Sequence, residues 1–239
     1  MTGVALRSAI YALLQTIVTP VYAIISLLTF PLPPLARYRI ITSWSRLMIW
    51  AAERVCGIRY RVLGRENIPT EPCIVLAKHE SAWETLALQV VLPPQVWVVK
   101  RELLWIPFFG WGLAMLSPIA IDRSEGTRSL RQMLVQARTR LKRGFWIIIF
   151  PEGTRSARGA RGTYHAGGAW LAAHTGALVL PVAHNAGDHW PKNSFAKYPG
   201  VITLSFGPAL RPSPGIKPAE LMNRVEQWIE AEMLRIRAA

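Results

Sequence analysis

The feature that most constrains the fold is an uncharged run near the N-terminus. Residues 8–30 read SAIYALLQTIVTPVYAIISLLTF, 23 residues without one Asp, Glu, Lys or Arg. Because about 20 apolar residues in a helix suffice to cross a bilayer, this run favours a membrane helix over a buried helix of a soluble protein. Pro20 lies in its middle and lacks the backbone N–H that an uninterrupted helix uses. The run therefore either spans the bilayer or forms two short helices within one leaflet, and we favour the second slightly.

Residues 37–55 are predicted to form a second helix. Their apolar side chains recur near the 3.6-residue period of a helix, and their arginine and tryptophan side chains suit the headgroup level of a bilayer. An amphipathic helix packed on a soluble domain explains the same pattern. We expect residues 1–55 to form a hydrophobic and amphipathic helical membrane anchor, and residues 56–239 to form an α/β domain.

Composition narrows the class of protein and its partners. The chain has 239 residues, 51% hydrophobic and 18% charged, which excludes a disordered protein. Its net charge of +14 indicates a polyanionic neighbour, either nucleic acid or an anionic membrane surface with phosphorylated substrates. No nucleic-acid-binding motif is present, so nucleic acid is not an expected partner. Cys56 and Cys73 fit no metal-ligand spacing, and we predict neither a metal site nor a disulfide.

Strand and helix patterns alternate from Ile58 onward. This alternation predicts an α/β sheet covered by helices. The predicted strands are residues 58–63, 73–77, 96–99, 117–121, 145–150, 177–183 and 201–206. The predicted helices are residues 81–92, a segment marked by Leu130, Leu134, Ala137 and Leu141, residues 167–174, and a last helix that begins at Pro218.

A histidine follows the second of these strands, and a carboxylate follows the histidine. His79 and Glu84 are five residues apart, a spacing that does not share one face of a helix, so they can meet only if His79 lies in the connecting turn. A carboxylate there can hold one ring nitrogen while the other accepts a proton from a hydroxyl. Ser81-x-x-Glu84 is also a capping box, which explains Glu84 without catalysis.

Basic side chains follow three other predicted strands. Lys100, Arg123 and Arg155 each lie shortly after the end of a strand, and Gly153 allows close approach of the backbone to a ligand. Open α/β sheets bind ligands at the carboxyl ends of their strands, and an arginine fork matches phosphate oxygens. Together with His79, these residues predict a site for an anionic substrate.

Residues 103–113, LLWIPFFGWGL, are apolar and aromatic without a clear period. Such a segment can line a groove for a fatty chain, dip into lipid, or lie in the core with a kink at Pro107. The sequence leaves these three interpretations open.

The chain resembles the glycerolipid acyltransferase family, and within it the bacterial 1-acylglycerol-3-phosphate acyltransferases. The resemblance covers about residues 60–210. Two positions depart from the family pattern. The family's aspartate is Glu84 here, one methylene longer, and a lysine that is common in the family shortly after the block Phe150 to Arg155 is His165 here. The four blocks that carry the resemblance are His79 to Glu84, the segment from Lys100 to Pro118-Ile119-Ala120-Ile121-Asp122-Arg123, Phe150-Pro151-Glu152-Gly153-Thr154-Arg155, and Leu180-Pro181-Val182-Ala183.

The resemblance implies a function and roles for residues. His79 would be the general base that takes the proton from the sn-2 hydroxyl of lysophosphatidic acid, and Glu84 would orient His79. Acyl-CoA or acyl carrier protein would supply the acyl group as co-substrate, with no further cofactor, and phosphatidic acid would be the product. The predicted phosphate-binding residues are Arg155, Arg123, Lys100, Gly153, Thr154 and Glu152.

The resemblance also implies a mixed sheet covered by helices, as in glycerol-3-phosphate acyltransferases. It implies a bacterial inner (cytoplasmic) membrane location, membrane lipids as partners, and a catalytic domain on the cytoplasmic side. Two alternatives remain open: the same acyl transfer to another lysophospholipid or lyso-aminolipid, and a non-catalytic membrane lipid-binding protein. No G-x-S-x-G elbow is present, so a covalent serine mechanism has no support.

Overall fold

The fold is organised around one seven-stranded sheet. A computed structural model describes residues 2–122 and 126–238. The order of the strands across the sheet is β1-β7-β6-β2-β5-β3-β4. The strands are β1 (Ile58–Leu63), β2 (Ile74–Ala77), β3 (Gln95–Lys100), β4 (Ile119–Ile121), β5 (Trp146–Ile149), β6 (Val179–His184) and β7 (Gly200–Phe206).

The sheet is mixed, with a parallel centre. Strands β6, β2, β5, β3 and β4 are parallel to one another, whereas β7 runs antiparallel to β6 and parallel to β1. The carboxyl ends of β2, β5, β3 and β4 therefore meet at one edge. This confirms the predicted α/β fold with a mixed sheet covered by helices.

Helices cover both faces of the sheet. The strands are buried on both sides: Ile74 and Leu76 of β2 pack toward the helices of residues 127–142, 167–175 and 218–238, whereas Val75 and Ala77 pack toward the helix of residues 83–91. Burial on both faces explains why β2 and β5 are continuous apolar runs in the sequence. The helices are α1 (Thr2–Leu28), α2 (Pro34–Ile41), α3 (Ser43–Cys56), α4 (Trp83–Val91), α5 (Phe109–Met115), α6 (Thr127–Lys142), α7 (Gly167–Thr175), α8 (Ala186–His189) and α9 (Pro218–Ala238).

The N-terminal helices differ from two expectations. Helix α1 runs through Pro20 without ending, so the predicted division into two short helices is wrong. A proline removes one intrahelical hydrogen bond, and packing against α3 and α5 maintains the helix on both sides of it. Residues 37–55, predicted as one helix, form α2 and α3, with the break at Thr42.

The first three helices form a hairpin whose two ends lie together. The Cys56 thiol at the end of α3 lies 3.7 Å from the Arg7 carbonyl in the first turns of α1. Ser8 Oγ accepts a hydrogen bond of 2.9 Å from the Lys197 N–H, and the Tyr11 ring packs edge-on against Trp190 at 5.2 Å. The start of α1 is therefore attached to the α/β domain, and the chain returns to the same place after α3.

One side of α1 carries exposed apolar side chains along its whole length. Helix α1 is long and apolar enough to cross a membrane, with a mean hydropathy of 1.8 in its most apolar window. The exposed stripe consists of Leu6, Ile10, Leu13, Ile17, Val21, Ile24, Leu27 and Leu28. The segment between β3 and α5 also carries exposed aromatic side chains, above all Trp105, which is 80% exposed. A surface of this extent indicates association with a membrane.

Candidate active site

His79 and Glu84 form a hydrogen-bonded pair at the carboxyl end of β2. His79 lies in the turn after the strand, and its Nδ1 is 2.8 Å from Glu84 Oε1 in the first turn of α4. The same Oε1 accepts the backbone N–H groups of Glu80, at 3.1 Å, and Ser81, at 2.9 Å. Ser81 Oγ in turn accepts the Trp83 N–H at 3.1 Å. Glu84 therefore caps the helix and holds the histidine ring at once.

The His79 ring is fixed on its face as well as at its edge. It stacks on Phe150 with the ring centroids 3.8 Å apart and the planes 9° from parallel. Phe150 stacks in turn on Trp97 at 5.5 Å. With Nδ1 engaged by Glu84, the nitrogen left for a substrate is Nε2, and His79 lines a large cavity.

Glu84 is fully buried and ionised at neutral pH. Burial by itself raises the pKa of this carboxyl, but the nearby His184 imidazole, the hydrogen bond from His79 and the Ser81 N–H lower it by more. His184 Nε2 lies 4.0 Å from Glu84 Oε2 and 2.8 Å from the Lys78 carbonyl. Because Ala186 N–H donates to His184 Nδ1 at 3.2 Å, the proton of the neutral ring lies on Nε2 and points toward the Lys78 carbonyl.

Glu152 is buried next to the His79 turn and is not among the residues that line the cavity. Its Oε1 accepts the His79 backbone N–H at 2.9 Å, and its Oε2 is 3.1 Å from the buried Lys78 ammonium. A buried carboxylate that is engaged in this way and would repel a phosphate does not suit the predicted phosphate contact. Its position fits a role in positioning the His79 turn.

The remaining predicted residues meet at one end of a cavity of about 980 Å³. Lys100 at the end of β3, and Gly153, Thr154 and Arg155 after β5, all line it. Their convergence with His79 follows from the order β2-β5-β3 of parallel strands. Arg123 lies outside the described residues.

Most of the other side chains that line the cavity are apolar, and many of them come from α5, α6 and the segment between β3 and α5. Helix α1 contributes a more polar set, Gln15, Thr19, Tyr22, Ala23 and Ser26. The first of the three interpretations of residues 103–113, a lining for a fatty chain, agrees with this arrangement. The exposed Trp105 in the same segment agrees with the second, contact with lipid. Among the apolar lining residues are Leu103, Phe108, Phe109, Leu113, Leu130 and Met133.

Sequence reasoning missed two side chains of this site. Lys192 lies in the loop after α8, lines the cavity, and donates a hydrogen bond to the Arg155 carbonyl. No local pattern marks it. His184 ends β6 directly after the Leu180-Pro181-Val182-Ala183 block, and only the pairing of β6 with β2 brings it beside Glu84. His165, noted as a departure from the family lysine, also lines the cavity.

Comparison with known proteins agrees with this geometry. A family model described as Acyltransferase matches residues 59–185. A 1-acyl-sn-glycerol-3-phosphate acyltransferase from Pseudomonas aeruginosa is 46% identical over 237 residues, covering 97% of this chain and 92% of that protein. The chain belongs to the acyltransferase family. The resemblance on which the sequence analysis relied is therefore confirmed.

More distant relatives of this acyltransferase share its central part or its fold. A 1-acyl-sn-glycerol-3-phosphate acyltransferase alpha from Mus musculus is 32% identical over 57% of this chain and 49% of its own length. The crystal structure of the 1-acyl-sn-glycerophosphate (LPA) acyltransferase PlsC from Thermotoga maritima has a TM-score of 0.82 at 24% identity, covering 98% of this chain and 96% of that chain. The two chains thus have the same fold along nearly their whole length.

The family match contains the edge of the sheet that carries the candidate active site but not all of the structure that supports it. Residues 59–185 include His79, Glu84, Lys100 and Arg155. Helices α1 to α3, strand β7 and helix α9 lie outside the match. Helix α1 nevertheless lines the cavity, and α9 reaches the residues on either side of His79.

Proposed function

We propose that this protein is a 1-acylglycerol-3-phosphate O-acyltransferase. It transfers a fatty acyl group from a thioester to the sn-2 hydroxyl of lysophosphatidic acid, giving phosphatidic acid for phospholipid synthesis. The observation that carries the proposal is the 2.8 Å contact between His79 and Glu84 at the edge of a cavity that has basic side chains at one end and mostly apolar side chains elsewhere. The printed names of the relatives point to the same reaction.

His79 acts as general base at Nε2. The sn-2 hydroxyl loses its proton to Nε2 as its oxygen attacks the thioester carbonyl. Glu84 keeps the other nitrogen protonated and stabilises the imidazolium that forms. When the tetrahedral intermediate collapses, the C–S bond breaks and the imidazolium returns its proton to the thiolate. The products are the ester and a free thiol, and His79 ends in its starting state.

The basic end of the cavity selects an anionic acceptor. Arg155 and Lys100 hold the glycerol phosphate, together with Arg123, and the backbone at Gly153 and Thr154 approaches the same group. Lys192 adds a further cation. The apolar part of the cavity receives the acyl chain, since its side chains offer no partner to a charged group.

The source of the acyl donor and the exposed stripe of α1 together indicate on which side of the membrane the α/β domain lies. Acyl-CoA or acyl carrier protein supplies the thioester from the cytoplasm, so the α/β domain lies on the cytoplasmic face of the inner membrane. Helix α1 inserts its exposed apolar stripe into that leaflet, and lysophosphatidic acid enters from the lipid beside it. Because the first turns of α1 adjoin the end of α3, the hairpin enters and leaves the membrane on the same side.

An acyl-transfer assay with several acceptors tests the proposal. The full-length protein is reconstituted in vesicles with an acyl-CoA, and both the free thiol and the lipid product are measured. Lysophosphatidic acid should support turnover, while lysophosphatidylcholine and a lyso-aminolipid should not, because they lack a free phosphate monoester. The His79→Ala protein serves as the control for uncatalysed transfer.

Each other outcome corresponds to one alternative. Turnover with a lyso-aminolipid and none with lysophosphatidic acid would assign a different acceptor to the same chemistry. Binding of lysophosphatidic acid without turnover on any acceptor, with either thioester donor, would indicate a non-catalytic lipid-binding protein.

A further inference from the structure

The C-terminal helix reaches the residue before His79. Lys78 is 1% exposed, and its ammonium group has three hydrogen-bond acceptors. They are Glu230 Oε1 of α9 at 3.0 Å, Glu152 Oε2 at 3.1 Å and the Ala160 carbonyl at 3.1 Å. All three donors of the ammonium are therefore used, and the Tyr164 hydroxyl donates a further hydrogen bond of 2.7 Å to Glu230.

The same helix also reaches the residue after His79. Glu80 is 0% exposed, and the Arg237 guanidinium donates to both of its carboxylate oxygens, at 2.9 and 2.8 Å. Burial raises the pKa of Glu80, and His184, Arg237 and Lys78 act against that rise. Arg237 also lies 3.5 Å from Asp188 of α8, so it joins the last turns of α9 to two elements beside the site.

These contacts complete the support of the His79 turn. The backbone of the turn is held by Glu152 at the His79 N–H and by Glu84 at the Glu80 N–H. The two flanking side chains, Lys78 and Glu80, extend to α9. The contacts join residues 152 and 157 positions apart in the chain. The backbone of the turn also accepts the Ser156 N–H at the His79 carbonyl, at 2.8 Å, whereas the side chains on both sides of His79 are held by one helix.

We propose that Glu230 and Arg237 of α9 are positioning residues for His79. By holding Lys78 and Glu80, they keep the imidazole in contact with Glu84 Oε1 and in the cavity. The inference rests on the proposed role of His79 as general base. It extends the catalytic unit beyond the residues 59–185 of the family match to a helix that begins at Pro218.

A matched pair of substitutions on α9 tests this inference. Arg237→Met removes the contact with Glu80, and Arg235→Met removes a surface ion pair with Glu232 on the same helix. Arg237→Met should lower kcat by roughly 10- to 100-fold, because a small misplacement of a catalytic group has effects of that size, with the acceptor KM within about twofold. Arg235→Met should behave as the parent, and Arg237→Lys should recover part of the lost kcat.

A pH profile separates positioning from stability. Glu84→Gln is the reference variant for loss of the contact between His79 and Glu84. The carboxylate favours the imidazolium, so removing it should move the acid limb of the kcat profile to lower pH. If Arg237→Met loosens His79 from Glu84, its acid limb moves in the same direction. A lower melting temperature without this shift, with kcat equal to the parent below the transition, would overturn the inference. So would a defect confined to the acceptor KM.

A second variant, Glu230→Gln, tests the same inference if the Arg237→Met protein does not fold. Glu230→Gln keeps the size of the side chain and an oxygen for Tyr164, but removes the charge that faces Lys78. It should show the same fall in kcat, and parental kcat in this variant would overturn the inference. His79→Ala identifies a failure of the proposed function itself: an active His79→Ala protein rejects the general base, whatever the α9 variants do.

Discussion

Glu84 Oε1 accepts three hydrogen bonds, from the His79 ring and from the backbone N–H groups of Glu80 and Ser81. The Glu84→Gln substitution separates the two roles of this atom. The amide oxygen of the new glutamine side chain can still accept the backbone N–H groups, so the helix cap is retained. The negative charge that stabilises an imidazolium is lost. We expect kcat to fall by at least about tenfold with little change in acceptor KM. Parental activity would leave helix capping as the only role of Glu84.

The same substitution has a predicted effect on acid stability. The pKa of Glu84 in the folded state lies below its usual value of 4.5. A carboxyl of this kind stabilises the fold fully above its unfolded-state pKa, and the contribution is lost as pH falls through the folded-state pKa. Glu84→Gln should therefore unfold with a weaker pH dependence than the parent below about pH 4.5. Unfolding midpoints by circular dichroism across that range measure it, and an unchanged slope would contradict the prediction.

Arg155 is predicted to bind the acceptor phosphate. Arg155→Ala should raise the acceptor KM by roughly tenfold or more, the value of a lost hydrogen bond to a charged group. Arg155→Lys should restore only part, because a point charge does not replace a fork. Lys142→Ala, on the exposed end of α6, is the control for removing one positive charge. A defect confined to the KM of the thioester would assign Arg155 to the other substrate.

The sequence indicated these residues because each lies at or shortly after the end of a strand. His79, Lys100 and Arg155 lie at strand ends, and adjacent parallel strands bring such residues together. Lys78 and Glu80 could not be interpreted in the same way. Their partners Glu230 and Arg237 are more than 150 residues away, and a charged residue in an amphipathic helix is usually on its solvated face.

At the scale of single elements, α1 makes the sharpest prediction. Leu13 and Ile17 are 62% and 59% exposed on the stripe that we assign to the lipid. Replacing either with Glu should lower vesicle binding by roughly tenfold, since burial of such a side chain in an apolar phase is worth about 1.5–3 kcal/mol. Flotation with vesicles measures binding. Val135→Glu, at a similarly exposed apolar residue of α6, should leave it unchanged.

Point substitutions are a better test of the anchor than its removal. A protein that begins near Cys56 should lose most membrane affinity and most activity on vesicles. A loss of affinity or activity in this truncated protein would be ambiguous, however, because α1 and α3 bury Ile58 and Trp83 of the α/β domain and their removal can also disturb the fold. The folding of residues 1–55 and 56–239 as separate parts stays a prediction. If Leu13→Glu and Ile17→Glu bind vesicles as the parent does, the stripe is not the membrane surface.

The strands were predicted more accurately than the helical hairpin. Strands β2 and β5 are buried on both faces and read as short apolar runs between polar turns, which leaves little ambiguity. The hairpin depends on packing. The local sequence indicates neither the continuity of α1 through Pro20 nor the break at Thr42, and α1 packs along α3 and α5, which are distant in sequence.

At the scale of the whole molecule, the net charge of +14 predicts a dependence on salt and on lipid charge. Each basic group near an anionic surface contributes about 1 kcal/mol to binding, and salt screens this term. Vesicle binding should therefore weaken as salt is raised on anionic vesicles and change little on neutral ones. Equal salt dependence on both would show that the apolar stripe alone holds the protein on the membrane.

The central claim is that His79 is the general base for acyl transfer to lysophosphatidic acid. The most direct measurement compares kcat of the full-length parent and of His79→Ala on vesicles that contain this acceptor. Loss of a general base should lower kcat by about 10²- to 10⁴-fold, with melting temperature and vesicle binding unchanged. A folded, membrane-bound His79→Ala protein with near-parental kcat would contradict the account.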